Sequence, residues 1–240
     1  LSKDVDNVLL SAVNLYGPDI TTADVESFYS DKVSPNKDKP LSFGLNSQLV
    51  KINGELTERV YKSGGLYGTA IDEITKWLEL ALGVAENKAQ GEALGLLIEY
   101  YKTGDLQVWD DYNVAWTAAT EGNIDYINSF IEVYNDPVGY TGSYETIVQV
   151  KDFDMSQKMA VLSENAQWFE DNSPLMDAHK KKNVVGVSYK VVNVAGEAGD
   201  ASPSTPIGVN LPNANWIRAA VGSKSVSLGN IIHSYNNAGS

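Results

Sequence analysis

The chain has 240 residues, of which 43% are hydrophobic and 20% charged, enough to bury a core as one large domain or two small ones. Its net charge of -13 argues against a nucleic-acid backbone or an anionic membrane surface as partner and loosely favours cationic or amine-bearing ligands. No cysteine is present, which excludes disulfides and thiolate metal sites.

No run of about 18 or more apolar residues marks a membrane span. The start, Leu1-Ser2-Lys3-Asp4, lacks the basic and apolar regions of a signal peptide and lacks a methionine, so it reads as a processed or excised chain. The lack of cysteine fits a reducing compartment. A cytoplasmic location is the expectation, with an exported form as the alternative.

Taken in order, Val5, Val8, Leu9, Ala12 and Tyr16 form a stripe that predicts a helix over residues 4–16, stopped by Gly17-Pro18-Asp19. Thr21 with Asp24 predicts an N-cap for a second short helix carrying Val25, Phe28 and Tyr29. Asn53-Gly54, between Gln48–Ile52 and Glu55–Tyr61, predicts a hairpin, because both central residues tolerate positive φ. Gly64-Gly65-Leu66-Tyr67-Gly68 is a break and not a phosphate loop, since no Lys-Ser/Thr follows it.

Three helices come next. Ile71, Ile74, Trp77, Leu78 and Leu82 line the first; Ala93, Leu94, Leu97, Ile98 and Tyr101 the second, ending near Gly104; Leu106, Trp109, Tyr112 and Trp116 the third, with Asp105 as its N-cap. The aromatics on these stripes read as core. Ile124 to Tyr134 fits a helical stripe or a strand; the turn chemistry of Asp136-Pro137-Val138-Gly139 and the β-type run Tyr144–Val150 favour a hairpin.

From Asp154, the residues Met155, Met159, Leu162, Ala166 and Phe169 repeat at helical spacing, and Ser173-Pro174 ends that helix. Lys180-Lys181-Lys182 reads as a solvated loop. Val184–Val194 is the longest β-type run, Gly196–Thr205 a small, polar connector, Asn215–Ala220 a short helical turn, Ser225–Leu228 a last strand and Asn230–Asn236 a helix start.

Side chains able to do chemistry are sparse. His179 and His233 are the two histidines, far apart and in no metal-binding pair. No Gly-x-Ser-x-Gly elbow supports a nucleophilic serine. The 31 acidic residues read mostly as solvated, and a carboxylate pair for glycoside hydrolysis finds little support in sequence proximity.

One stretch stands apart: Pro206-Ile207-Gly208-Val209-Asn210-Leu211-Pro212-Asn213. Prolines bracket β-formers and remove two N–H groups, which predicts an edge strand able to pair with an extended peptide. Asn210 and Asn213 place two carboxamide acceptors near one end, suited to an ammonium such as a peptide's free N-terminus. The plainer reading is a loop strand with turn-forming asparagines.

This octapeptide, with Ser225-Val226-Ser227-Leu228-Gly229-Asn230 after it, resembles the segment just before the zinc motif of the dipeptidyl peptidase III family. Phe130-Ile131-Glu132-Val133-Tyr134-Asn135-Asp136-Pro137-Val138-Gly139 resembles that family's Phe-Ile-Glu-x-Tyr-x-Asp-Pro-x-Gly block. Tyr100-Tyr101-Lys102-Thr103-Gly104-Asp105 and Asn165-Ala166-Gln167-Trp168-Phe169-Glu170-Asp171 resemble its bacterial branch.

The resemblance implies an α+β fold, with helices packed around a small mixed β-barrel or sheet, as part of a two-lobed peptidase that removes dipeptides from short peptides with one zinc ion. Neither His-Glu-x-x-Gly-His nor Glu-Glu-x-x-Ala-Asp occurs in the chain, so it is expected to hold no metal, to be inactive alone, and to be the front, peptide-gripping portion of its parent. The expected layout has residues 1–150 as helices plus hairpins of that lobe, 151–182 as a helix reaching toward the missing zinc-binding lobe, and 183–240 as completing strands.

By the same resemblance Asn210 and Asn213 hold the substrate's amine, and Pro206, Ile207 and Gly208 belong to the strand that pairs with the peptide. Asp125 supplies a carboxylate near that amine, and Glu132 lies in the Phe130–Gly139 block. Ile127 stands where animal enzymes have a tyrosine that assists the reacting carbonyl; Tyr126 is adjacent but faces the other side of a strand. The alternative is a stand-alone, non-catalytic peptide-binding module.

Overall fold

The computed structural model describes residues 1–11, 14–184, 187–202 and 205–237. Asn53 and Gly54 sit at φ 54° and 86°, the left-handed turn that their sequence predicts. They join β1 (Ser47–Ile52) to β2 (Glu55–Val60) in an antiparallel ribbon that runs from Ile52 opposite Glu55 to Ser47 opposite Val60. The chain divides into two compact units: Leu1–Ala85 with Leu94–Tyr112 and Asn128–Glu145, and Glu86–Ala93 with Asn113–Ile127 and Thr146–Ser240.

In the first unit, α1 (Thr22–Ser30) starts at a reciprocal cap. The Thr21 hydroxyl accepts from the Asp24 N–H (3.1 Å), and the Asp24 carboxylate accepts from the Thr21 N–H (2.9 Å). Lys51 Nζ lies 2.7 Å from the same carboxylate and, with Thr21, holds its pKa down to about 2. Thr21→Ala is expected to cost about 1 kcal/mol in urea unfolding. Because the folded pKa lies below the unfolded one, the Asp24 contribution is complete above about pH 4 and lost as the pH falls toward 2. The gap in urea midpoint between wild type and Asp24→Asn therefore closes over that window.

Residues 4–11 form turns, not the expected helix, and residues 12 and 13 of that stripe lie outside the described residues. The reason is Asp6, whose side chain accepts from the N–H groups of Val8, Leu9 and Thr22 and from the Thr22 hydroxyl. Those bonds offer the backbone an alternative to the helical ladder. Val8, Tyr16, Ile20, Val25, Tyr29 and Leu49 then form one buried cluster.

The turn that closes the Phe130–Gly139 block is built on Asp136. Its carboxylate accepts from the Tyr16 hydroxyl (2.6 Å) and from the N–H groups of Val138 (3.0 Å), Tyr140 (2.8 Å) and Thr141 (2.7 Å). Burial first, and then this carboxylate, push the Tyr16 hydroxyl's pKa far up, so it remains a donor.

The helices α2 (Gly68–Leu82), α3 (Lys88–Thr103) and α4 (Leu106–Ala118) form where the periodicity places them. Asp105 caps α4 by accepting from the Gln107 N–H at 2.8 Å. The predicted stripes of α3 and the aromatics of α4 are buried. On α2 the stripe is displaced: Ile71 and Thr75 turn inward, whereas Trp77 is 65% exposed.

A five-stranded sheet carries the second architecture, in the order β3 (Ile124–Glu132), β4 (Ser143–Lys151), β5 (Val187–Gly199), β7 (Ser223–Leu228), β6 (Gly208–Leu211). β5 and β7 are parallel, whereas β6 and β7 are antiparallel, so the sheet is mixed. Among the described residues β3 and β6 are its two edges: the fold is the expected α+β with an open sheet, not a closed barrel. The ambiguous run from Ile124 is thus a strand, neighbouring β4 as the hairpin reading had it. β5 continues to Gly199, so the start of the expected Gly196–Thr205 connector is strand; residues 203 and 204 lie outside the described residues.

In place of one helix over residues 154–169 there are two, α5 (Phe153–Glu164) and α6 (Ala166–Asp171). The Asn165 side chain donates to the Val161 carbonyl at 2.7 Å, a local bond of the kind that bends helices. α5 is fastened to β5 through Ser156, whose hydroxyl donates to the Val191 carbonyl (2.9 Å) and accepts from its N–H (3.1 Å). Along the regular apolar stripe, Met155, Leu162 and Phe169 stay exposed. The short α7 (Asn215–Ala220) precedes β7, and α8 (Gly229–Asn237) follows it. The Asn230 carboxamide donates to and accepts from the backbone of Val194 (3.1 and 3.0 Å), acting as a substitute strand partner where β7 ends. Among the described residues no helix is long and apolar enough to cross a membrane.

Candidate functional site

β6 forms because Gly208-Val209-Asn210-Leu211 alternates in step with β7: Gly208 lies opposite Ser227, Val209 opposite Val226, Asn210 opposite Ser225 and Leu211 opposite Lys224. The Leu228 N–H donates to the Ile207 carbonyl at 3.0 Å. In an antiparallel ladder this fixes the alternation: Ile207, Val209 and Leu211 turn their backbone groups to β7, and Gly208 and Asn210 turn theirs to the free edge. A Cβ at Gly208 would come within 3.0 Å of the Val226 carbonyl, so the absent side chain lets the two strands close. The Leu211–Pro212 peptide bond is cis. Asn210 and Asn213 are both exposed, as are Ile207 and Gly208; Pro206 is half-buried.

The side chains of β6 divide between two faces. Val209 and Leu211 share the face of the buried Lys224, Val226 and Leu228. Gly208 and Asn210 share the face of Ser225 and Ser227, where the Tyr189 and Ser227 hydroxyls lie 2.5 Å apart.

Asp125, the carboxylate that the resemblance sets near a substrate amine, meets an ammonium of this same chain. Lys224 Nζ lies 2.8 Å from Asp125 Oδ2 and 4.2 Å above the Trp116 ring, and its side chain is 4% exposed. Trp116 Nε1 donates to Asp125 Oδ1 (3.1 Å) and to the Tyr126 carbonyl (3.0 Å). Burial lowers the Lys224 pKa, and Asp125 opposes that shift. Gln90, Trp116, Asp125, Tyr126, Lys190 and Lys224 line a small hollow on this side. The structure thus brings Asp125 together with Lys224 and Trp116, on the sheet face opposite Asn210.

Glu132 belongs to the first unit, where a hydrogen bond from the Tyr134 hydroxyl raises that tyrosine's pKa. Ile127 is buried. Sequence reasoning missed Lys224 and Trp116. The signal was present in Lys224-x-Val226-x-Leu228, where a lysine occupies the apolar register of a strand.

Among the described residues no group of three His, Asp or Glu side chains is placed to hold a metal ion. His179 and His233 are both exposed, and His233 pairs with Asn237 at 2.9 Å. This donor set does not fit a zinc site.

Solved structures share this fold, and curated proteins are similar to it in sequence. Dipeptidyl peptidase 3 of Dictyostelium discoideum is 29% identical over 236 residues, covering 90% of this chain and 33% of its own length. The Mus musculus protein of that name is 26% identical over 235 residues, covering 97% and 31%. The solved structure of DPP III from Caldithrix abyssi superposes with a TM-score of 0.78 at 24% identity, over 94% of this chain and 42% of that one. Dipeptidyl-peptidase III from Corallococcus sp. strain EGB gives 0.74 at 23%, over 91% and 40%. The chain thus spans about a third of the length of these curated relatives and about two fifths of the solved ones. The sequence profile of peptidase family M49 matches residues 43–239, and the chain belongs to that family.

Proposed function

We propose that this chain is the peptide-holding portion of a dipeptidyl peptidase III-type zinc peptidase, and that β6 receives the N-terminal stretch of a short peptide as an added strand. The observation that carries the reading is the free edge of β6, with the backbone groups of Gly208 and Asn210 turned outward beside exposed Asn210 and Asn213 side chains. Backbone pairing supplies affinity, and the carboxamide oxygens accept from the peptide's ammonium. Asp125 adds little net field to that capture while Lys224 matches its charge.

The zinc and the lobe that carries it belong to polypeptide outside this chain, which makes that lobe the chain's principal protein partner. No hydrolytic step is assigned to the residues present. Titration calorimetry with a tetrapeptide and its N-acetylated copy tests the reading. Acetylation is expected to weaken binding about tenfold or more, the value of a hydrogen bond to a charged group. Equal binding of the two, or no binding of either, would overturn it.

A further inference from the structure

A strand that joins β6 extends both faces of the sheet, because directly opposed residues project to the same side. One face is apolar. Val209 packs on the cluster of Val192, Val226 and Leu228, and Ile207, opposite Leu228, extends the same row by strand alternation. At the edge the apolar layer is left unfinished: Ile207, bonded through its carbonyl to the N–H of buried Leu228, is itself 59% exposed. The other face carries Gly208 and Asn210, with the hydroxyls of Ser225, Ser227 and Tyr189 behind them.

We infer that this edge selects extended peptides with apolar side chains at alternate positions, which cover Ile207 and Val209, and with small or polar side chains between them, beside Gly208 and Asn210. The inference rests on the strand addition proposed above and adds a sequence rule to it. The rule holds for either direction of the incoming strand, since strand side chains alternate with a period of two.

The test walks one leucine along a pentathreonine peptide with a free N-terminus and measures each affinity for the 240-residue chain by titration calorimetry. Leucine is expected to raise affinity about tenfold at every second gripped position and not at those between, the scale of an added apolar contact in a pocket. Ile207→Asn, a change at an exposed site, is expected to erase the alternation. Equal gains at consecutive positions, or an alternation that Ile207→Asn leaves intact, would overturn the rule while the strand reading stands. Failure of every peptide to bind would overturn both.

Discussion

Asp136→Ala is expected to destabilise the first unit by about 4 kcal/mol. The substitution removes the acceptor of four donors at once: the Tyr16 hydroxyl and the N–H groups of Val138, Tyr140 and Thr141. Tyr16 and Thr141 are buried, so water does not replace the lost partner. Such a loss is a large fraction of the roughly 5–15 kcal/mol that holds a domain folded. Asp136→Asn keeps one oxygen acceptor and is expected to cost less than half as much. Urea unfolding of the three proteins settles the point: a loss below about 1 kcal/mol for Asp136→Ala would show that the turn holds without its carboxylate.

Asp125→Ala is expected to cost about 3 kcal/mol, because it leaves the Lys224 ammonium buried without its counter-charge. Removing both partners, as Asp125→Ala with Lys224→Met, is expected to recover most of that loss, since the methionine suits the apolar register shared with Val226 and Leu228. The single variant also carries a pH signature. Burial sets the folded pKa of Lys224 below its ordinary 10.5, so the unfolded chain binds the proton more tightly. Stability of Asp125→Ala therefore rises as the pH climbs from the folded pKa toward 10.5, and the double variant lacks that rise. A double variant no more stable than Asp125→Ala would refute the charge argument.

Much of this fold is legible in the amino-acid order, where local chemistry and tertiary packing agree. Asn53-Gly54 turns a hairpin, Thr21 and Asp24 cap a helix, and Pro206 to Pro212 brackets an edge strand, each as the residues alone imply. Prediction fails where a side chain redirects the backbone or the apolar face. Asp6 gathers the backbone into turns, and Asn165 splits a helix whose apolar spacing runs straight through it. The site divides in the same way. The exposed edge and its asparagines follow from composition, but the pairing of Asp125 with Lys224 joins positions 99 residues apart, and no short-range pattern reveals it. Asp136 shows the converse: a residue of the block that resembles the family performs a structural task inside a turn.

A ribbon open to a visiting peptide is equally open to the same ribbon of a neighbouring molecule. Two features oppose such self-assembly. The strand is only four residues long, and every copy carries a net charge of -13, so identical molecules repel one another in dilute buffer. Concentrated salt shortens the reach of that repulsion to a few ångströms, about 3 Å at 1 M, and leaves the brevity of the ribbon as the remaining safeguard against clumping.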